Sequence, residues 1–142
     1  MDLQKARQML RTGEYTCVLC CCGEVITSTR RGVAPLLELI DQKKKVQGYS
    51  AADKVVGKAT ALLYCLLGVK AVYADVISAS ARQVLETNGI AVAFGSCVPY
   101  IQNRSGTGCC PMEKATEHIA QPEEALLAVR QTLKLLQEGK IP

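Results

Sequence analysis

Apolar and polar positions follow two different periods in the first part of the 142-residue chain. Residues 3–12 place their apolar side chains at helical spacing, and Gly13 follows as a stop signal, which predicts a short amphipathic helix. Residues 15–21 and 24–28 are instead rich in strand-forming types and are separated by Cys22 and Gly23. This pattern predicts a β-hairpin after the first helix.

The next stretch predicts two helices. One covers residues 33–42, with Pro35 in its first turn, where proline is well tolerated. Ser50 and Asp53 have the spacing of a capping box, which predicts the start of a long apolar helix that reaches Leu67. Gly57 falls inside that predicted helix, where it would permit close packing.

Alternating strands and helices are predicted from residue 69 onward. Residues 69–77 form the third predicted strand, and Ser80, with capping-box spacing to Gln83, begins the helix that follows. Residues 90–94 form the fourth strand, and a turn at Gly95 leads into a short fifth strand. Pro99 confines that strand to an edge or to its end.

A last helix starts at Pro122, with residues 118–142 as an additional C-terminal helical segment. Because crossovers between parallel strands are right-handed, helices are expected on both faces of the sheet. We predict one domain over residues 1–142, with an α/β fold: a three-layer α/β/α sandwich around a mixed sheet of four or five strands.

Composition and charge exclude several classes of protein. The longest apolar stretch, residues 59–69, is about half of the roughly 20 residues that span a bilayer, and no secretory signal opens the chain. The formal charge is +4, and the basic runs lack interleaved aromatic residues, which disfavours nucleic acid. We therefore expect a cytoplasmic protein without a membrane partner, whose eight cysteines are thiols.

Most cysteines are interpreted as packing residues. Cys17 and Cys20 have C-x-x-C spacing, but on a strand they face opposite sides and cannot chelate together. The only histidine is His118. We predict neither a metal site nor a cofactor.

Cys110 stands apart because Pro111 is expected at the first position of a helix. Backbone amides at a helix start stabilise a thiolate, so Cys110 is a candidate nucleophile; a structural thiol, with Glu113 filling a favourable first-turn position, is the alternative. The loop before it contains glycines that let backbone amides approach an anion closely. Helix starts at a sheet edge and this loop could converge on one anionic ligand.

The predicted site has two sets of residues. The catalytic set consists of Cys110, Asp53 and Lys54. The ligand-binding set shares positions in the glycine-rich loop or at helix starts: Asn103, Arg104, Gly106, Thr107, Gly108, Ser78 and Glu113.

The order of elements resembles the cytidine-deaminase-like fold. The stretches "RGVAPLLELI", "ADKVVGKATALL", "YADVIS" and "VPYIQNRSGTGCCPMEK" resemble, more narrowly, a small family of uncharacterised prokaryotic proteins placed in that fold. The resemblance covers about residues 3–117. It matches Cys110 rather than Cys109 to the family's Cys-Pro-Met-Glu motif, but it brings no established role for any residue.

Zinc deaminases of this fold carry H/C-x-E on one helix and P-C-x-x-C on the next. The corresponding stretches here, "SAADK" and "ISASARQ", contain neither thiol nor imidazole. Cys22 and Glu24 match C-x-E only as a string, within the predicted hairpin. The sequence therefore disfavours zinc-dependent deamination.

These observations predict a protein that binds a small anionic, nucleotide-like metabolite in a cleft beside Cys110. If the protein is an enzyme, thiol-dependent group transfer, including sulfur transfer, suits its residues better than metal-assisted hydrolysis. The competing hypothesis is a noncatalytic binding or assembly module that forms a homodimer, with a structural Cys110.

Overall fold

The computed structural model describes residues 2–102, 108 and 110–139. Within these residues six helices and five strands form a mixed α/β fold. The helices are α1 (Asp2–Thr12), α2 (Ala34–Asp41), α3 (Lys58–Leu67), α4 (Ala79–Thr87), α5 (Pro111–Thr116) and α6 (Pro122–Gln137). The strands are β1 (Cys17–Cys21), β2 (Glu24–Ser28), β3 (Ser50–Val56), β4 (Ala71–Ser78) and β5 (Ala91–Val98).

The strands make one sheet in the order β2-β1-β3-β4-β5. β1 pairs antiparallel with both β2 and β3, whereas β3, β4 and β5 run parallel. The connections β3-α3-β4 and β4-α4-β5 are the crossovers that parallel pairing requires. The predicted mixed sheet is confirmed, with five strands.

Side chains that alternate in direction along the strands pack into two hydrophobic cores, one on each face of the sheet. Val18 and Cys20 of β1 pack with Ala6 and Leu10 of α1 on one face. Cys17 and Leu19 of β1 belong to the larger core on the other face, which also contains residues of α2, α3, α4 and α6. Helices therefore cover both faces, because side chains on a strand alternate in direction.

Four predicted elements are confirmed in outline. The first helix, the hairpin and the helix after it form as α1, β1-β2 and α2, with a proline in the first turn of α2. The hairpin turn consists of Cys22 and Gly23, whose φ values are 51° and 87°. The helix from Pro122 is confirmed as α6.

The predicted long helix from Ser50 is wrong in its first half. Residues 50–56 form strand β3, and helix α3 begins only at Lys58, with Gly57 as its N-cap. Asp53 and Lys54 therefore lie on a strand and not in the first turn of a helix. The physical reason is that β3 lies between β1 and β4, so the backbone pairing on both sides outweighs the weak strand propensity of "SAADK".

Two predicted boundaries are also corrected. Ser78, not Ser80, caps α4, because its Oγ accepts a hydrogen bond from the amide of Ala81 at 3.2 Å. Gly95 does not form a turn, since β5 continues through it to Val98. A Cβ at position 95 would lie 2.8 Å from the carbonyl oxygen of Asp75, so the glycine allows the two strands to approach closely.

None of the described helices is long and apolar enough to cross a bilayer.

Candidate functional site

The carboxyl ends of the parallel strands open into one cleft. Helix α3 starts just after β3 and helix α4 just after β4, so their N-termini lie at the same edge of the sheet. A cleft of about 230 Å³ lies at this edge. It is lined by Lys58, Ser80, Pro99, Tyr100, Glu113 and Glu117.

The buried carboxylate of Glu113 joins the elements around this cleft. Its Oε1 accepts hydrogen bonds from the amide of Lys58 and, at 3.3 Å, from Ser78 Oγ. Its Oε2 accepts a third bond from the amide of Ile101 at 3.2 Å. A side chain on α5 thus binds the first turn of α3, the cap of α4 and the segment after β5.

The position of Glu113 is electrostatically favourable. The first amides of a helix lack partners within the helix and carry a partial positive charge, which a carboxylate neutralises. Glu113 is only 6% exposed, and its donors replace the water that it loses on burial. The chain therefore supplies its own anion to the N-terminus of α3.

Gly57 makes room for this carboxylate. A Cβ at position 57 would lie 2.8 Å from Glu113 Oε1 and 3.2 Å from Glu113 Cδ. The backbone at Gly57 is extended, with φ −93° and ψ −179°, so the glycine serves close approach and not an unusual conformation. The close packing predicted for Gly57 is present, but at a helix cap and not inside a helix.

Lys58 and Ser80 line the cleft and carry polar side chains. The ammonium of Lys58 donates to the carbonyl oxygen of Glu117 at 2.9 Å. Ser80 Oγ lies 3.3 Å from Ser78 Oγ. The predicted site includes neither Lys58 nor Ser80. The available sequence signal for Lys58 was the preceding Gly57, which follows the end of strand β3 in the structure.

Cys110 is the N-cap of α5, as predicted, and Pro111 is the first residue of that helix. Its side chain is half-buried and makes no capping hydrogen bond. The amide of Cys110 donates to the carbonyl oxygen of Ile101 at 2.8 Å. Because Ile101 also bonds Glu113, Cys110 is connected through the backbone to the cleft.

The glycine-rich loop of the predicted site lies almost entirely outside the described residues. This applies to Asn103, Arg104, Gly106 and Thr107, and also to Cys109. Gly108 is described and is half-buried in a bend. Of the predicted ligand-binding residues within the described part, Ser78 and Glu113 are brought together.

Asp53 belongs to a separate buried cluster. Its Oδ2 accepts a hydrogen bond from Tyr64 Oη at 2.8 Å, and Tyr64 Oη also lies 3.3 Å from Cys17 Sγ. Burial raises the pKa of Asp53 to about 7, against smaller opposing effects of its bonds to Tyr64 and to the amides of Lys54 and Val55. Burial likewise raises the pKa of the Cys17 thiol and that of Tyr64.

This cluster was missed because its members are distant in sequence. The register of the sheet places Cys17 opposite Asp53, and Tyr64 reaches both from helix α3. Lys54 follows Asp53 on β3 with an exposed side chain, and its amide donates to the carbonyl oxygen of Thr16. Neither Asp53 nor Lys54 is among the residues that line the cleft.

The part of the chain that the structure describes contains no group of three or more histidine, cysteine, aspartate or glutamate side chains placed to hold a metal ion.

The fold and the cleft define a mixed α/β protein with a polar crevice at the carboxyl edge of its parallel strands. Residues 5–133 match the family described as TM1506: Domain of unknown function (DUF1893), and the chain belongs to this family. Its structure is similar to the crystal structure of a DUF1893 family protein (TM1506) from Thermotoga maritima, with a TM-score of 0.83 and 25% sequence identity. The match covers 92% of this chain and 88% of that one. No curated protein matches the chain.

Proposed function

We propose that the protein binds a small anionic, nucleotide-like metabolite in the cleft between the starts of α3 and α4. The observation that carries this proposal is that the N-terminus of α4 and the side chain of Lys58 lie at one polar crevice, while the N-terminus of α3 is already neutralised by Glu113. In open α/β sheets, ligands bind in crevices outside the carboxyl ends of the strands. Helix N-termini and a lysine favour a negatively charged ligand.

The division of roles around the cleft supports a particular binding mode. Glu113 already occupies the N-terminus of α3 through the amide of Lys58. The ligand is therefore assigned to the open side of the cleft, against Lys58 Nζ, Ser80 Oγ and the exposed ring of Tyr100. We also propose Asn103 and Arg104, which follow Tyr100 closely in the sequence, as residues that contact the ligand.

We assign the fold to the cytidine-deaminase-like class. The sheet order β2-β1-β3-β4-β5, with an antiparallel hairpin at one edge and three parallel strands, supports this assignment. The helix starts that would hold zinc in a deaminase read "GKAT" for α3 and "ASAR" for α4. Because these stretches offer neither thiol nor imidazole, the proposal does not include zinc-dependent deamination.

A catalytic form of the proposal gives Cys110 the role of a thiol nucleophile. The position of Cys110 at the N-cap of α5, with a partly exposed side chain, supports this assignment. The reaction class would be thiol-dependent group transfer, sulfur transfer included. Asp53 and Lys54 are not part of this catalytic proposal, because they lie on strand β3 and not at a helix start beside the cleft.

Lys58 variants test the binding proposal. We expect nucleoside monophosphates or diphosphates, or inorganic phosphate, to raise the melting temperature of the full chain. Lys58→Ala should weaken the binding measured by calorimetric titration about tenfold to a hundredfold, since a hydrogen bond to a charged group is worth about 1.5–3 kcal/mol. The matched control is Lys134→Ala, which removes a lysine from the separate groove between α2 and α6. Equal affinities for both variants, or no stabilisation by any of these anions, would refute the proposal.

A homodimer is the second candidate, and strand β5 favours it. β5 lies at one edge of the sheet, and its eight residues, "AVAFGSCV", include neither a charge nor a proline. Proteins commonly protect long edge strands with such residues against pairing with another chain. An antiparallel pair of β5 strands from two copies would satisfy this edge and give a two-fold symmetric dimer.

We expect Ser96→Lys to dissociate such a dimer, because it adds a charge to an exposed position of β5. Light scattering during size-exclusion chromatography measures the mass directly. Gln8→Lys adds the same charge on the exposed side of α1 and serves as the control. A monomeric wild-type chain, or a dimer that Ser96→Lys leaves intact, would rule out this interface.

A further inference from the structure

Cys21 and Cys22 form a pair of adjacent thiols at the tip of the β1-β2 hairpin, away from the proposed cleft. Cys21 is the last residue of β1 and lies opposite Glu24, while Cys22 is the first residue of the turn. Their Sγ atoms lie 3.4 Å apart. Cys21 is half-buried, Cys22 is exposed, and both are free thiols.

Packing does not explain Cys22, because its side chain is exposed. Backbone conformation does not explain it either. Its φ of 51° lies in the left-handed region, and at this position of a two-residue hairpin turn asparagine, aspartate and glycine are preferred. A cysteine here is thus held in a conformation unfavourable for its type, and strained positions of this kind concentrate at functional sites.

The geometry disfavours a direct disulfide between the two thiols. Adjacent Cα atoms are about 3.8 Å apart across a trans peptide, whereas disulfide-linked residues have Cα atoms about 4.4–6.8 Å apart. An atom placed between the sulfurs avoids this strain. At about 2.3 Å from each sulfur, the length of a zinc–thiolate bond, a metal ion would have an S–M–S angle of about 95°. Moving the sulfurs apart by a few tenths of an ångström gives the tetrahedral angle.

We propose that Cys21 and Cys22 form a two-thiolate binding site for a soft divalent metal ion of the zinc and cadmium class. Thiolates select such ions over hard cations. Binding forms two metal–sulfur bonds and releases the two thiol protons to solvent, so the balance needs no oxidant. The nearby carboxylate of Glu24 already accepts a hydrogen bond from Tyr49 and pairs with Lys44 at 3.3 Å. The remaining positions of the metal are assigned to water or to an external ligand.

Cd²⁺ alone is the probe that tests this site. Because Cys109 and Cys110 are a second adjacent pair in the sequence, the titration uses the full reduced chain with Cys110→Ser. We expect one equivalent of Cd²⁺ to bind, with a thiolate-to-metal charge-transfer band in the ultraviolet. Adding Cys22→Ser should weaken binding by more than about tenfold, since even changes around metal ligands cost about 10–100-fold.

Cys97→Ser, in the same Cys110→Ser chain, is the matched control, because Cys97 is an exposed thiol on β5. It should leave the Cd²⁺ affinity unchanged. Far-UV circular dichroism verifies that each variant is folded, and Cys21→Ser gives a second, independent loss of a ligand. A Cd²⁺ affinity that is the same with and without Cys22, or no binding at all, would overturn the assignment.

Discussion

Replacing Asp53 by asparagine is expected to abolish a large pH dependence of stability between about pH 4 and pH 7. In the folded protein, burial raises the pKa of Asp53 from 3.8 to about 7. Between these values the folded state holds a proton that the unfolded state has released. Unfolding then liberates a proton, so the contribution of Asp53 to stability is fully present below about pH 4 and is lost as the pH rises through 7.

The size of this effect follows from the shift of the pKa. Each unit of pKa difference corresponds to about 1.4 kcal/mol, so the free energy of unfolding should fall by a few kcal/mol across the window. The asparagine side chain of the Asp53→Asn variant is neutral at every pH and keeps an oxygen that can accept the bond from Tyr64 Oη. The variant should therefore gain stability relative to the wild type as the pH rises.

Urea unfolding at pH 5, 6, 7 and 8 measures this difference. Asp41→Asn is the control, because Asp41 is an exposed carboxylate paired with Arg130 at 2.7 Å, and its curve should run parallel to that of the wild type. Parallel curves for the wild type and Asp53→Asn would show that the Asp53 carboxyl does not change its protonation in this window.

The second large effect concerns the coupling of Gly57 and Glu113. Glu113→Ala should destabilise the protein by about 2–4 kcal/mol, because it deprives three donors of their acceptor. Gly57→Ala should cost about 1–3 kcal/mol, since its Cβ would displace the same carboxylate. Both changes act on one contact, so they should not be additive.

In the Glu113→Ala chain, Gly57→Ala should cost less than about 1 kcal/mol, which is the effect of alanine as a helix cap. Denaturant unfolding of the two single variants and the double variant completes the cycle. Glu113→Gln tests the charge separately from the volume of the side chain. It keeps the volume but replaces one carboxylate oxygen by an NH2 group, which cannot accept a hydrogen bond from a backbone amide. If the costs of the two single variants add in the double variant, Gly57 and the Glu113 carboxylate are not energetically coupled, which would contradict this account.

Much of the fold follows from local patterns. The helix α1, the hairpin and α6 have a clear period and clear end signals, such as Cys22-Gly23 and Pro122, which act within a few residues. Residues 50–56 lack such a pattern. β3 is central in the sheet and has no regular alternation, and its short polar start resembles a helix cap. Only pairing with β1 and β4, which lies beyond local sequence, makes it a strand.

The candidate site shows the same limit. The sequence placed Glu113 in the first turn of a helix and Cys110 at its cap, and both placements are confirmed. It could not show that the Glu113 carboxylate reaches the start of α3, 55 residues away. The glycine at position 57 was the available signal, but the incorrect helix start at Ser50 hid its meaning.

The most direct test is a crystal structure of the full chain. Its crystals are soaked with the nucleotide that raises the melting temperature of the protein most, so that the structure locates the bound ligand. We predict ligand density in the cleft, with an anionic group within hydrogen-bonding distance of Lys58 Nζ and Ser80 Oγ, and with Glu113 still bonded to the amide of Lys58. A cleft that stays free of ligand at saturating nucleotide, or a ligand bound elsewhere on the surface, would contradict the proposed function.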